Sequence, residues 1–355
     1  MKRTVALIML PLLLTANLVS AATNAASYSQ AQKAQTFISN QIKGVGLVDS
    51  YQEDNKTVSY VYDNALAAMA CMSMGNYGLA QRILDALAKK VQKSEFGVPY
   101  ESYNYNTGKA ESYYVYAGNT AWMLQAFNIY QKSKSSKTYY SFQKKLADYI
   151  VSLQDSSDGG IKGTRNDTWK STEHNLIAYA ALKNFGKLNK QSSYSAKADK
   201  IMTFLTGSTI WDGERFNQGK NDTARVTDVQ ALGTLLLGSS YSSALTYAEK
   251  YLKLTDYYNS KSVIGFDFNS DLDTVWLEGN LQMALAFYKS GNTSTSKGDY
   301  YYDEAAKTIQ SDGSVLLATS TGSASDWWTL QVWRAIASTS WLIMYYSKFS
   351  PLILY

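Results

Sequence analysis

The feature that most constrains this chain is a helical pattern that returns six times at nearly even spacing. Each copy continues as a largely apolar stretch, and the copies begin 52 to 59 residues apart, at Asp63, Gly118, Glu173, Val226, Glu278 and Ala337. Regular recurrence of this kind is typical of architectures that are built from repeated structural units. The sequence therefore predicts six equivalent units around one common core.

Amphipathic segments alternate with these apolar ones. The segment 27–43, for example, places Ala31, Ala34, Phe37 and Ile38 at helical spacing with polar residues between them. A helix that is apolar all round is buried on every side, whereas an amphipathic helix faces solvent on one side. The pattern predicts an all-α fold, an (α/α)6 toroid with inner helices near 59–74, 114–131, 172–185, 226–237, 275–290 and 328–346, and outer helices near 27–43, 77–91, 138–153, 194–206, 241–254 and 299–310.

The connections are expected to differ in length between the two ends of the toroid. Gly186, Gly238 and Gly291 are expected to end three inner helices with a positive φ, and short links then lead to the outer helices. The returning links run about 15 to 20 residues, longer than packing requires, at 44–58, 93–112, 154–170, 207–224, 255–273 and 311–326. Long loops gathered on a rigid scaffold usually carry function.

The first residues have the layout of a secretory signal peptide. Lys2 and Arg3 precede an apolar run, and small residues follow at 19–22. We therefore assign 1–22 to a cleavable signal and 23–355 to a single (α/α)6 barrel domain, secreted or periplasmic and monomeric. The apolar run is short and contains Pro11, so a retained membrane span is not expected. Cys71 is the only cysteine, and the mature chain therefore has no internal disulfide.

Composition narrows the class of partner. With 34 Lys and Arg against 29 Asp and Glu, the chain is only mildly basic, and its cations are scattered rather than clustered. This distribution argues against nucleic acid as a partner. Aromatic residues make up 14% of the chain, including 29 Tyr and 8 Trp, and many fall in loops or at predicted helix starts. Such placement suits a surface that binds planar or sugar ligands.

The alternation of inner and outer helices resembles the six-hairpin glycosidase-like superfamily, the (α/α)6 barrels that include several glycoside hydrolases and polysaccharide lyases. The resemblance covers nearly all of the mature chain and rests on architecture together with the acidic starts of the inner helices; no single family is matched by a specific motif. It implies that the substrate cleft lies across the end where the inner helices begin. Terpenoid cyclases and prenyltransferases are related toroids, but neither clustered aspartates nor a plausible zinc site is present in this sequence.

Four carboxylates are candidates for catalysis because they fall at the starts of predicted inner helices. Asp63, Glu173 and Glu278 occupy the same position in copies one, three and five, and Asp228 lies two residues later in copy four. Glycoside hydrolysis needs one protonated acid for the leaving oxygen and one carboxylate as base or nucleophile. Each acid alone has a simpler explanation, since a helix N-terminus favours negative charge. That explanation does not account for the aromatic residues beside them.

Aromatic and amide side chains near these acids are candidates for substrate binding. Indole and phenol rings stack on the apolar faces of sugar rings, while amides and carboxylates bind the hydroxyls. Trp122 and Trp341 lie inside predicted helices and are better explained as core. The predicted substrate-binding residues are Tyr60, Tyr62, Tyr103, Tyr105, Asn119, Trp169, His174, Trp211, Trp276 and Trp328.

No metal or cofactor is predicted. His174 is the only histidine, which excludes a zinc site built from histidines, and no nucleophile elbow is present. His174 is expected to form a hydrogen bond in the cleft or to pack structurally, with proton transfer as the lesser alternative. The Asp-rich segments 155–159 and 269–273 could bind calcium, but turns built by Asx and Gly residues are far commoner.

The sequence thus predicts a glycoside hydrolase that cleaves a poly- or oligosaccharide, with Glu278 and Asp63 as the acid/base pair. Glu173 or Asp228 would position water or substrate. A polysaccharide lyase is an alternative, in which a tyrosine or His174 abstracts a proton and a cation neutralises a uronate; its candidate cations are Arg165, Lys170, Arg215 and Arg225. A toroid that binds a glycan without cleaving it is the third hypothesis.

Overall fold

A computed structural model describes residues 28–291, 294–325 and 328–355. The signal peptide predicted over 1–22 lies outside the described residues. None of the helices that the structure describes is both long enough and apolar enough to cross a membrane.

Twelve α-helices form the described part of the chain. They are α1 (28–40), α2 (Val61–Ser73), α3 (Tyr77–Asp85), α4 (Ala117–Lys134), α5 (Tyr140–Ser152), α6 (Thr172–Leu188), α7 (Ser192–Leu205), α8 (Thr227–Leu237), α9 (Ser243–Tyr251), α10 (Leu277–Lys289), α11 (Thr295–Ala306) and α12 (Ile336–Tyr346). A π-helical turn (Ala86–Lys90) continues α3, and a 3₁₀ turn (Ser239–Tyr241) precedes α9.

The six even-numbered helices form the inner ring. Each contacts the next along the chain, and α12 returns to contact α2, which closes the ring. α3, α5, α7, α9 and α11 each pack on the inner helix that precedes them. The inner helices are buried nearly all round, as in α4, whereas outer helices such as α5 bury only one face. The predicted all-α (α/α)6 toroid is therefore confirmed.

Small antiparallel hairpins occupy the connections that lead from outer to inner helices. The strands are β1 (Ile42–Lys43), β2 (Leu47–Val48), β3 (Val58–Tyr60), β4 (Ser102–Asn104), β5 (Ala110–Ser112), β6 (Lys253–Tyr258), β7 (Lys261–Phe266), β8 (Val315–Leu316), β9 (Gly322–Ser325), β10 (Trp328–Leu330) and β11 (Arg334–Ala335). β3, β4 and β5 form one sheet, and the pairs are β1 with β2, β6 with β7, β8 with β11 and β9 with β10. The sequence predicts only loops in these segments, and the strands were not predicted.

Two predicted helix bounds were wrong because strands replace helix at their ends. α9 ends at Tyr251 rather than continuing to 254, and the chain turns into the β6–β7 hairpin. Burial alternates along β6, the period-2 pattern of a half-exposed strand, and Asn259 and Ser260 adopt the positive φ of a tight turn. α12 begins at Ile336 rather than near 328, so Trp328 lies on β10.

The expected glycine stops were right at two positions and wrong at one. Gly238 and Gly291 end α8 and α10 with φ of 90° and 88°. Gly186 instead lies inside α6, where a Cβ would come within 2.4 Å of Ser195 Oγ on α7. Close contact between an inner and an outer helix, rather than helix termination, therefore explains this glycine.

Candidate active site

Five inner helices begin at the same end of the toroid and present polar side chains there. Asp63, Glu173, Asp228 and Glu278 all lie in the first turn of their helices, α2, α6, α8 and α10. Asn119 lies in the first turn of α4. These side chains converge because the ring places equivalent helix positions around one axis. The alignment of the six sequence copies thus corresponds to a ring of groups in space.

Two adjoining cavities at this end form what we call the acidic mouth. The inner cavity measures about 180 Å³ and is lined by Glu173, Asp228 and Glu278 together with Phe268 and Trp276. The outer cavity measures about 560 Å³ and is lined by residues that include Asp63, Tyr51, Tyr60, Glu101 and Trp333. Both cavities share the side chains of Tyr62, Asn119 and Trp328. The two volumes are therefore parts of one cleft.

Glu278 has the most perturbed carboxyl group of the four. Burial is the main cause that raises its pKa to about 8; the hydrogen bond from Tyr62 lowers the pKa, and weaker repulsion from Asp63, Asp228 and Glu173 raises it further. The Tyr62 hydroxyl donates to Glu278 Oε1 at 2.5 Å, and Gln282 Nε2 donates to the same oxygen at 3.1 Å. Among the described residues, no donor bonds to Oε2. A proton on Oε2 is therefore available for transfer at neutral pH.

Glu173 is held between an indole and the imidazole. Trp122 Nε1 donates to Glu173 Oε1 at 2.5 Å, and His174 Nε2 lies 3.6 Å from Oε2. Burial raises the pKa of Glu173 to about 7 and lowers the pKa of His174 to about 4. The imidazole is therefore neutral near pH 7, and the close approach of these two residues is not an ion pair. His174 Nδ1 is buried without a partner in the described structure.

Asp228 and Asp63 also have raised pKa values. Burial and then the charge of Glu173 raise the pKa of Asp228 to about 7, although its Oδ1 accepts a hydrogen bond from Val229 N at 2.7 Å. Burial raises the pKa of Asp63 to about 7, partly offset by a hydrogen bond with Ser50. Four desolvated acids that line one cleft cannot all ionise at once. The mouth thus contains both proton donors and proton acceptors near neutral pH.

Five of the ten predicted binding residues lie at the mouth. Tyr60, Tyr62, Asn119, Trp276 and Trp328 line it directly. The ring centroids of Trp276 and Trp328 are 6.3 Å apart, and Phe268 lies between them at 5.1 and 5.4 Å. The resulting aromatic wall faces the acids across the inner cavity.

Trp169 and His174 lie beside the mouth rather than in its lining. Their rings are 5.4 Å apart, and Trp169 lines a separate cavity on the outer side. His174 packs so closely on α4 that a Cβ on Gly118 would approach its Cδ2 to 2.1 Å. The Glu-His-Asn sequence at the start of α6 therefore contributes one carboxylate to the mouth and one ring to its side wall.

Three further predicted binding residues, Tyr103, Tyr105 and Trp211, also lie outside the lining of the mouth. Tyr103 is fully buried, and its hydroxyl donates to Gln92 O at 2.7 Å and accepts from Tyr100 N at 2.6 Å. Tyr105 packs partly buried against the core. Trp211 packs against Phe216 and Tyr241, with centroids 4.6 and 4.9 Å away. These three side chains pack in or against the hydrophobic core, and a sequence position in a long loop does not reveal this.

Several residues that line the acidic mouth were not predicted from the sequence. They are Tyr51, Glu101, Leu232, Phe268, Gln282 and Trp333. Gln282 could have been found, because it lies one helical turn after Glu278 and therefore on the same face. Tyr51 and Phe268 come from loops, and no spacing rule links them to the acids.

A second acidic group, Asp267 with Asp271 and Asp273, flanks Phe268 in the chain, and its oxygens lie within 4.8 Å of one another. Asp267 accepts hydrogen bonds from the amides of Phe268 and Asp273, and Asn269 accepts one from the amide of Asp271. These contacts are those of an Asx-stabilised loop. They help to position Phe268 at the mouth.

Comparisons with known proteins identify the architecture. No family profile matches the sequence, and no curated protein sequence matches it. A solved structure titled "Glycosidase Wild Type" superposes with a TM-score of 0.73 at 10% identity, covering 94% of this chain and 99% of its own. A D-mannose isomerase superposes at 0.66 and 10% identity over 91% of this chain and 96% of its own. A possible GH105 member from Salmonella enterica superposes at 0.65 and 10% identity over 92% and 93%. Likeness at this identity establishes the toroid fold.

Proposed function

We propose that this protein is a carbohydrate-active enzyme, and specifically a glycoside hydrolase that cleaves a poly- or oligosaccharide. The observation that carries the proposal is the acidic mouth, in which four carboxyls from four inner helices line one cleft with an aromatic wall, and Asp63 and Glu278 among them are buried. Sugar rings stack on such walls, and acids of this kind perform glycosidic bond cleavage. The names of the structural neighbours, glycosidase and possible GH105 member, agree with this class.

Glu278 is assigned as the general acid. Its pKa of about 8 keeps it protonated near pH 7, and the hydrogen bonds from Tyr62 and Gln282 fix Oε1 so that Oε2 can donate. Protonation of the glycosidic oxygen lets the leaving sugar depart as an alcohol while positive charge develops on the other ring. Tyr62 acts as the positioning residue for this acid.

Asp63 is assigned as the partner carboxylate. Among the other three acids, it has the largest electrostatic effect on the pKa of Glu278. An ionised Asp63 favours a protonated Glu278, which is the division of roles that the reaction requires. Asp63 then accepts a proton from water or attacks the anomeric carbon, while Glu173 and Asp228 bind hydroxyls or position that water.

A lyase reaction fits these residues less well. It would need a cation to neutralise a uronate, but Lys56 is the only cation that lines the described mouth. The candidate cations lie elsewhere. Arg215 and Arg225 stack on Tyr247, and Lys170 pairs with Asp155 and Asp158. The tyrosines at the mouth have raised pKa values, which makes them poor bases at neutral pH.

The proposal includes export as a monomer. The sequence over 1–22 supports cleavage by a signal peptidase. Expression with the native N-terminus in a secretory bacterial host, followed by N-terminal sequencing of the exported protein, tests this. A retained Met1 in the exported protein would contradict it, and light scattering of the same sample gives the oligomeric state.

The activity is tested on a panel of soluble plant, bacterial and host glycans. New reducing ends without the ultraviolet absorbance of a new double bond identify hydrolysis, and that absorbance would identify a lyase. Glu278→Gln and Asp63→Asn should each abolish release, whereas Asp199→Asn, an exposed acid paired with Lys183 on the outer surface, should not. Full turnover by both mouth variants would overturn the assignment. Glycan binding without turnover by the wild type would support the noncatalytic toroid instead.

A further inference from the structure

We propose that the toroid has a second carbohydrate-binding site, separate from the acidic mouth, that holds an uncharged stretch of the same polymer. This inference rests on the proposed function for the identity of the ligand. The site is a cavity of about 600 Å³ between the α3–α4 and α5–α6 connections, and we call it the aromatic basin. Its aromatic lining is Phe96, Tyr100, Tyr113, Tyr114, Tyr116, Tyr149 and Trp169. The volume is within the usual range of small-ligand sites, roughly 300–1,000 Å³.

Three rings on one side of the basin form a continuous surface. Tyr114 and Tyr116 are stacked, with centroids 5.5 Å apart and planes 16° from parallel, and Trp169 lies 6.3 Å from Tyr116. Tyr113, Tyr114 and Trp169 are 66%, 62% and 44% exposed. Large rings exposed together in a concavity usually mark a binding surface. Their flat faces are available to stack on pyranose rings.

The surface is rigid because backbone and buried groups support it from below. Trp169 lies directly on Gly163, where an added Cβ would approach its ring to 2.1 Å. The Tyr149 hydroxyl donates to Val115 O at 2.7 Å and thereby fixes the segment that carries Tyr114 and Tyr116. Little side-chain entropy is therefore lost when a ligand binds.

The polar groups of the basin favour an uncharged glycan. Glu95, Arg165 and Asp167 line it, and within the described structure none of the three forms an ion pair. The Arg165 guanidinium lies over the Phe96 ring at 4.6 Å. These groups can bind sugar hydroxyls. Because two acids accompany one cation, the basin does not offer the positive charge that a polyuronate would need.

The basin and the mouth share no lining residue, but a row of rings connects them. Neighbouring residues in the chain line different cavities. Tyr100 lines the basin and Glu101 lines the mouth, and likewise Tyr113 lines the basin and Ser112 lines the mouth. The row continues from Tyr114 through Tyr116 and Trp169 to His174, which lies beside Glu173. One polymer can therefore occupy both sites, with the cleaved bond at the mouth and a distant stretch in the basin.

The test uses the double variant Tyr113→Ala/Tyr114→Ala in the full chain. Both side chains are mostly exposed, and Tyr257→Ala provides a matched control because Tyr257 is 65% exposed on β6, away from both sites. Affinity electrophoresis in gels that contain soluble glucan, mannan, xylan or polygalacturonate measures binding, with Glu278→Gln added to prevent turnover. We expect the double variant to bind its uncharged polymer about tenfold more weakly, while the control binds normally.

In turnover assays, the double variant should raise KM for the polymer and leave kcat on a short oligosaccharide unchanged. Weakened polymer binding in a protein that cleaves nothing would uphold the basin while refuting the hydrolase. Hydrolysis with unchanged polymer binding would uphold the hydrolase and refute the basin. Wild-type binding to polygalacturonate alone, or to no polymer, would also overturn the basin.

Discussion

The two ends of the toroid differ in how far their buried polar groups are hydrogen-bonded. At the end where the inner helices finish, the C-terminal segment crosses the ring and pairs with their amides. Gln125 Nε2 donates to Pro351 O at 2.8 Å, Asn184 Nδ2 donates to Ile353 O at 2.7 Å, and Tyr355 N donates to Asn184 Oδ1 at 2.9 Å. A polar network that is satisfied in this way fixes one arrangement of the segment.

At the mouth, the buried groups remain short of partners. The four acids have raised pKa values mainly because they are desolvated, and Trp276 Nε1 and His174 Nδ1 are buried without a hydrogen-bond partner in the described structure. Natural proteins keep such unfavourable groups chiefly at functional sites. One scaffold thus has a closed end, where the C-terminal segment pairs with amides of the inner helices, and an open end, where buried polar groups lack partners within the described residues.

Glu278→Gln is the strongest test of this difference between the two ends. We expect turnover to fall by roughly 10²- to 10⁴-fold because the proton donor is lost. The free energy of unfolding should change by less than about 1 kcal/mol, because an uncharged amide replaces a carboxyl that is already mostly protonated at pH 7. Reducing-end assays and urea unfolding measure the two quantities. A large loss of stability with retained turnover would make the mouth structural.

A substitution at the closed end should lower stability and leave turnover unchanged. Asn184→Ala leaves Tyr355 N and Gln125 Oε1 without their partner and leaves Ile353 O with Gln125 Nε2 alone, and we expect the free energy of unfolding to fall by about 2 to 3 kcal/mol. Turnover per folded molecule should match the wild type, because the substitution is far from the mouth. Unchanged urea unfolding would show that the C-terminal segment does not stabilise the ring.

Two helical glycines provide a matched pair. Gly118→Ala would bring a Cβ within 2.1 Å of His174 Cδ2, and Gly186→Ala would bring one within 2.4 Å of Ser195 Oγ. Each should destabilise the fold by about 1 to 2 kcal/mol, since overpacking outweighs the better helix propensity of alanine. Only Gly118→Ala should also lower kcat, because it displaces the ring beside Glu173. Equal kcat in both variants would contradict a role for that packing.

The last prediction concerns the dependence of stability on pH. Asp63, Glu173 and Asp228 have folded pKa values of about 7 and Glu278 of about 8, above the value near 4 of unfolded carboxyls. The folded protein therefore binds more protons than the unfolded chain between about pH 4 and 8, so stability falls as pH rises through this window. Each titrating acid contributes at most about 1.4 kcal/mol per pH unit.

The double variant Asp63→Asn/Glu278→Gln should flatten this decline, while Asp199→Asn should leave it unchanged. Part of the slope should survive, because Asp49 and Asp267 also have raised pKa values, about 6 and 7. Thermal unfolding between pH 5 and 9 provides the measurement. Identical slopes in the double variant and the wild type would mean that these two acids are not desolvated in solution.

Much of the fold could be predicted because it depends on local patterns. The order and type of all twelve described helices followed from apolar and amphipathic periodicity, and the position of Asp63, Glu173 and Glu278 followed from aligning the copies. The errors lie where short strands compete with helix, as after Tyr251 and before Ile336. Propensity over a few residues is too weak to decide such cases against tertiary pairing.

The acids of the candidate site could be predicted from the sequence, whereas the aromatic residues around them could be predicted only in part. Trp276 and Tyr62 adjoin acidic helix starts in sequence and lie at the mouth, whereas Tyr103 and Trp211 occupy loops of similar composition and face the core. A loop residue's direction depends on which surface its backbone packs against. Sequence spacing within one helix cannot supply that information.

The sequence by itself determined a ring of six helical pairs and a set of acids at one end, because helical periodicity and repeat spacing are properties of the chain. Tertiary structure alone decided that Tyr62 bonds Glu278, that Phe268 completes the aromatic wall and that the C-terminal segment closes the far end. It also decided the protonation of the acids. Their pKa values depend on burial and on charges from other helices, and both exist only once the ring has closed.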